Sequence, residues 1–139
     1  MNIYFAAAIR GGRNDAGIYS LLVQELSRYG KVLTEHVGND ALLARERQLS
    51  ENEIFRRDMQ WLDQTDLLIA EVSTPSLGVG YELAMAEIRS IPSLCLFRRQ
   101  EETRLSAMIA GNPFYKTISY KNPIELQALL KDFFSRFGQ

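Results

Sequence analysis

Apolar positions along the chain follow two alternating rhythms. Residues 2–9 (Asn-Ile-Tyr-Phe-Ala-Ala-Ala-Ile) are almost continuously apolar, the pattern of a central strand covered on both faces. Beyond Asn14 and Asp15, either of which suits a helix N-cap, Ile18, Leu22, Leu26 and Tyr29 recur at helical spacing until Gly30 stops the run. Residues 31–36 predict a second, shorter strand, and a polar segment around Gly38, Asn39 and Asp40 is expected to return over the sheet edge. Ser50 and Glu53 form a capping-box pattern that opens a helix running to about Gln64, with Ile54, Phe55, Leu62 and either Met59 or Trp61 toward the core. The run 67–72 predicts a third strand. Helix 80–90 follows, burying Leu83, Ala84 and Ile88 and ending before Pro92. A strand over 93–97, a short helix over 103–110 and a weaker strand over 114–120 come next. Asn122 and Pro123 then start a closing helix with Ile124, Leu126, Leu129, Leu130 and Phe133 inward.

Five strands alternating with helices predict one α/β domain over 1–139, a doubly wound parallel sheet in the flavodoxin-like order 2-1-3-4-5. In that order the first and third strands are neighbours, so the loops that follow them meet above one crevice.

Composition narrows the partners. Among 139 residues, 16 basic and 17 acidic side chains leave a net charge of −1, and no Lys/Arg run marks a track for polymeric nucleic acid. The single cysteine, Cys95, excludes an internal disulfide and sits in an apolar strand, where a buried inert thiol is expected. His36 stands too much alone to found a metal site. With no leader pattern and no run of membrane-spanning length, the chain is expected to be soluble and cytoplasmic, or nuclear in a eukaryote.

Candidate chemistry gathers in residues 73–84, Ser-Thr-Pro-Ser-Leu-Gly-Val-Gly-Tyr-Glu-Leu-Ala, a loop feeding a helix start. Backbone N–H groups, the Ser76 hydroxyl and the helix dipole suit an anion there. Glu82, placed in about the first turn, is either a group for chemistry or one of the many acids that merely complement the dipole. Gly78-Val79-Gly80 imitates part of a dinucleotide fingerprint, but after the wrong strand and without the third glycine. The turn Arg10-Gly11-Gly12-Arg13 reads equally as a phosphate grip and as a surface turn. Asp58 falls on or beside the apolar stripe of its helix, where desolvation favours a proton donor and a salt bridge to Arg56 or Arg57 is the ordinary alternative. The short helix around Leu105, Met108 and Ile109 carries more apolar surface than it can bury alone and reads as a subunit contact.

With these residues in place the chain resembles the nucleoside 2-deoxyribosyltransferase superfamily, and within it the 2′-deoxynucleoside 5′-monophosphate N-glycosidases. The resemblance rests on residues 9–13, 28–37, 75–83, 94–98 and 105–109. It implies that Glu82 is the nucleophile at the anomeric carbon, that Tyr4 orients it, and that Asp58 assists departure of the base. It also implies a 5′-phosphate held by Arg10, the backbone at Ile9 and Gly11, and the Ser76 to Gly78 loop, with Ser106 reaching it from the other subunit of a homodimer. Ala8 occupies a position where close members carry serine. Such chemistry needs two carboxylates in different surroundings and neither metal nor organic cofactor. Three activities compete: hydrolysis of the nucleotide, exchange of its base, and binding without turnover.

Overall fold

The computed structural model describes residues 1–9 and 15–138. Its elements in chain order are β1 (Asn2–Ala6), α1 (Ala16–Leu26), β2 (Lys31–Val32), a 3-10 turn (Glu35–Gly38), α2 (Asp40–Glu46), α3 (Glu51–Asp63), β3 (Leu67–Glu71), α4 (Leu77–Ile88), β4 (Ser93–Arg98), α5 (Ala107–Ala110), β5 (Tyr115–Tyr120) and α6 (Pro123–Arg136). All five strands pair in parallel in the order β2-β1-β3-β4-β5, as the alternating pattern predicts.

Strand alternation sorts the core into two layers. Ile3 and Phe5 of β1, with Leu67, Ile69, Leu94 and Leu96, face α1 and α6 and meet Leu22, Leu26, Leu126 and Leu130. Tyr4 and Ala6, with Leu68, Ala70 and Cys95, face the opposite layer and meet Leu62 of α3 and Val79, Leu83 and Ala86 of α4. Tyr4 of β1 therefore points at the layer of the two helices that carry Asp58 and Glu82.

Several expected boundaries move. β1 ends at Ala6, not residue 9. β2 shrinks to two residues because the Thr34 hydroxyl replaces a strand: it accepts the Phe5 N–H at 2.8 Å and donates to the Phe5 carbonyl at 2.7 Å. The segment expected to be irregular after Gly38 contains α2, capped by the Asn39 side chain, which accepts the N–H groups of Ala41 and Leu42. The predicted capping box is present: Ser50 accepts the Glu53 N–H and Glu53 accepts that of Ser50. At Gly30 the backbone passes so close to residue 1 that an added Cβ would lie 2.5 Å from the Met1 carbonyl oxygen, which explains the glycine where α1 hands over to β2.

Helix α4 starts at Leu77, three residues earlier than the apolar pattern placed it, because Ser76 caps it by accepting the Val79 N–H at 3.3 Å. Its buried face is Val79, Leu83 and Ala86, while Ala84 is exposed and Ile88 is 74% exposed. Phe55 and Ile124, both expected inside, also face outward. The short helix α5 is a single turn that begins after Ser106 without a side-chain cap, and residues 103–106, expected to belong to it, form no regular structure.

Candidate active site

The switch point between β1 and β3 brings together the three side chains that the sequence singled out for chemistry. Tyr4 rises from β1 and its phenol donates to Glu82 Oε1 at 2.5 Å. Glu82 comes from the second turn of α4, so dipole complementation does not explain it. Burial pushes its carboxyl up to about 7, the Tyr4 hydrogen bond pulls down, and the charges of Asp58 and Glu46 add to the rise. Burial beside two carboxylates drives the Tyr4 phenol far above its ordinary range, so it stays a donor.

Asp58 reaches the same place from α3. Burial raises its carboxyl, while Arg57 opposes that rise through hydrogen bonds and charge. Both sequence alternatives thus hold at once: the acid is desolvated and it is paired. Arg57 donates from Nε and Nη2 to Asp58 Oδ1 at 3.0 and 2.8 Å, and from Nη2 to Glu46 Oε1 at 2.7 Å. Its guanidinium carbon lies 4.5 Å from the centre of the Trp61 ring. His36 Nε2 stands 2.9 Å from Glu46 Oε2, and burial lowers the imidazole pKa. Sequence reasoning named Arg57 only as a possible partner and missed Glu46, because α2 gave no apolar signal strong enough to place it.

The two loops expected to hold an anion lie only partly within the described residues. Arg10 and Gly11 lie outside the described residues. Ile9 is exposed at the end of the first-strand segment. Ser76 and Gly78 stand at the N-terminus of α4, where a Cβ on Gly78 would find only the Ser76 hydroxyl, 3.8 Å away. Ser76 and Ser106 line one mainly apolar groove of about 480 Å³ between α4 and α5, which also holds Glu87, an acceptor from Asn112 at 2.8 Å and from the Tyr115 phenol at 2.9 Å. Tyr4, Asp58 and Glu82 do not line that groove.

A second polar cluster, unforeseen from the sequence, closes the C-terminal ends of the strands. Glu71, 1% exposed, accepts hydrogen bonds from the Ser73 hydroxyl and, at 3.0 Å, from Tyr120. Ser73 Oγ in turn accepts the Arg98 N–H at 2.7 Å. Arg98 donates to Asp15 at 2.6 Å, and Asp15 accepts from Thr74 at 3.1 Å, tying the start of α1 to the loop before α4. Among the described residues, no group of three or more His, Cys, Asp or Glu is arranged to hold a metal, and no helix is long and apolar enough to cross a membrane.

Fold and site together define a doubly wound α/β protein with a buried carboxylate, its phenol donor and a second acid at the switch point. Residues 3–125 match the family model described as nucleoside 2-deoxyribosyltransferase. The chain belongs to that family. It is 46% identical over 138 residues to a zebrafish (Danio rerio) 5-hydroxymethyl-dUMP N-hydrolase, covering 96% of each chain. It is 51% identical over 112 residues to the mouse (Mus musculus) protein of the same name, covering 79% of this chain and 65% of the mouse protein. Among solved structures, a Clostridium botulinum CMP N-glycosidase shares the fold, with a TM-score of 0.67 at 16% identity over 96% of this chain and 99% of that one.

Proposed function

We propose that this protein hydrolyses the N-glycosidic bond of 2′-deoxynucleoside 5′-monophosphates, releasing the nucleobase and 2-deoxyribose 5-phosphate. The observation that carries the reading is the convergence of Tyr4, Glu82 and Asp58, supported by relatives named 5-hydroxymethyl-dUMP N-hydrolase.

In this reading Glu82, ionised and held by the Tyr4 hydroxyl, attacks the anomeric carbon as the bond to the base nitrogen breaks. The bonding pair leaves with the base, which takes a proton from Asp58. Water then attacks the same carbon, gives a proton back to Asp58 and frees Glu82. A 2-deoxy sugar lacks the electron-withdrawing hydroxyl that would oppose the developing positive charge. Arg10, the backbone at Ile9 and Gly11, and Ser76 with Gly78 hold the 5′-phosphate and supply remote binding energy that aligns the sugar. In a homodimer built on the exposed face of α4 and α5, Ser106 completes that grip from the neighbouring subunit.

Chromatography of products from a panel of deoxynucleotides, 5-hydroxymethyl-dUMP included, tests this. Free base with 2-deoxyribose 5-phosphate, and much weaker turnover of unphosphorylated nucleosides, is the expected result. Equal turnover of both classes refutes the phosphate assignment, and recovery of intact nucleotide refutes the enzyme. The family model favours one alternative, transfer of the sugar to a second base. An added free base that appears in a new nucleotide at the expense of hydrolysis would establish it.

A further inference from the structure

The Asp58 carboxylate is bonded unevenly. Among the described residues, both hydrogen bonds that it accepts, from Nε and Nη2 of Arg57, land on Oδ1. The guanidinium cannot follow Asp58 freely, because its Nη2 also donates to Glu46 Oε1 at 2.7 Å and its plane rests on Trp61. On the far side Glu46 Oε2 is buried, lying 2.9 Å from His36 Nε2 without a hydrogen bond. These side chains come from three successive elements, the 3-10 turn, α2 and α3. Arg57 and Asp58 are adjacent in sequence, so without the anchor at Glu46 nothing would oblige the pair to meet in this geometry.

We propose that Arg57, anchored by Glu46, is a positioning residue for Asp58: it occupies Oδ1, so that the transferable proton sits on Oδ2, and the sharing of its guanidinium between two carboxylates governs when Asp58 holds that proton. The inference rests on the reading of Asp58 as the acid that serves the leaving base. An oxygen that accepts two charge-assisted hydrogen bonds is the worse of the two to protonate, which leaves Oδ2 as the donor. An arginine devoted to Asp58 alone would hold it ionised and useless as an acid. Glu46 draws off part of that charge and adds a like charge of its own, and both effects favour the protonated form.

The groups that bear on Asp58 from the elements around it act as follows. Arg57 on α3 and His36 on the 3-10 turn favour its ionised form, the latter only when protonated, which its burial opposes. Glu46 on α2 and Glu82 on α4 repel its charge. Tyr4 on β1 stays neutral throughout. The two acids interact, so they titrate as a pair, and a limb of the pH profile is assigned by mutation and not by position.

The test is the pH dependence of kcat/KM for the full chain and four variants, on a deoxynucleotide with a poor leaving base and on a deoxyribose 5-phosphate carrying a nitrophenolate, which departs without a proton. The limb that vanishes in Asp58→Asn belongs to Asp58. Arg57→Gln moves that limb up by about one unit, and Glu46→Gln moves it down. Arg57→Lys keeps the charge but loses the two-pronged hold, so the limb stays while turnover of the poor leaving base falls about tenfold and the nitrophenolate is unaffected. Arg57→Lys keeps the charge and Glu46→Gln keeps a hydrogen-bond acceptor, and so both guard against simple misfolding. A profile unchanged in Asp58→Asn sinks the acid reading itself. A limb that vanishes there yet stays put in both Arg57→Gln and Glu46→Gln overturns the inference alone, as does an equal loss on both substrates in Arg57→Lys.

Discussion

Tyr4 and Glu82, 78 residues apart in the chain, meet at 2.5 Å because β1 directs every second side chain toward the layer containing α4. The hydroxyl donates and, among the described residues, is the one hydrogen bond opposing the burial that raises Glu82 to about 7. Tyr4→Phe therefore moves Glu82 further up, by about one unit for a charge-assisted bond. Since the proposed nucleophile must be ionised, activity near neutrality should fall and recover partly as pH rises. A rate profile unchanged in shape would show that the bond does not set the state of Glu82.

Glu82→Gln keeps the shape of the side chain and removes its nucleophilic charge. Turnover should fall by about a thousandfold or more, with nucleotide binding retained when measured by calorimetry. Residual turnover close to the unaltered protein would end the covalent proposal.

The same substitution should stabilise the fold in a pH-dependent way. A carboxyl whose folded pKa of about 7 exceeds the ordinary 4.5 binds its proton more tightly folded than unfolded. Stability then declines as pH climbs from about 4.5 through 7, and the deficit persists above. The difference of 2.5 units sets an upper bound of about 3 kcal/mol. Thermal melts should show Glu82→Gln several degrees above the unaltered protein at pH 8, with the two curves converging toward pH 4.5. A constant offset across that window would locate the effect elsewhere.

Most of the sheet was legible because parallel strands buried on both faces leave continuous apolar runs, as residues 67–71 do. Glu71 at the end of that run gave no warning of being buried, since of the partners that satisfy it Ser73 is local, but Tyr120 becomes a neighbour only when β3 and β5 flank β4. The α2 segment escaped because its cap, Asn39, looked like a turn residue and only Leu43 of its helix is buried. Ile88 and Phe55 were assigned inward by spacing alone. Periodicity reports which positions share a helix face, and a face covered by something other than this chain carries the same signal as one that faces its own core. The acids of the site were legible as residues and ambiguous as roles, because their burial depends on two helices that only the sheet brings together.

Asp15 and Arg98 form an ion pair at 2.6 Å with side chains 7% and 21% exposed. Arg98→Met strands a buried carboxylate and should cost about 3–5 kcal/mol, read from urea unfolding midpoints. Asp15→Asn in the same chain should restore much of that loss, because the penalty lies in the unpaired charge and not in the missing contact. Strict additivity of the two substitutions would show that the pair does not act as a unit.

The exposed apolar side chains Leu77 (96%), Ile88 (74%) and Met108 (79%) belong to α4 and α5, the elements that flank the groove containing Ser76 and Ser106. A two-fold dimer through that face would bring Ser106 of each subunit toward the phosphate grip of the other, so every site would draw on both chains. In that arrangement Glu82→Gln would lack the proposed nucleophile, and Ser106→Asp would place a negative charge against the phosphate. Each variant alone should be nearly inactive. Unfolded together and refolded, they should form heterodimers in which one site carries both lesions and the other neither. Random pairing makes half of the dimers mixed, with one intact site of two, so about a quarter of the original activity should return. Should subunit exchange be demonstrated, by mass-labelled chains for example, with no activity regained, Ser106 serves only its own chain or no site at all. The groove shared by Ser76 and Ser106 within one subunit would then be the whole of their relationship.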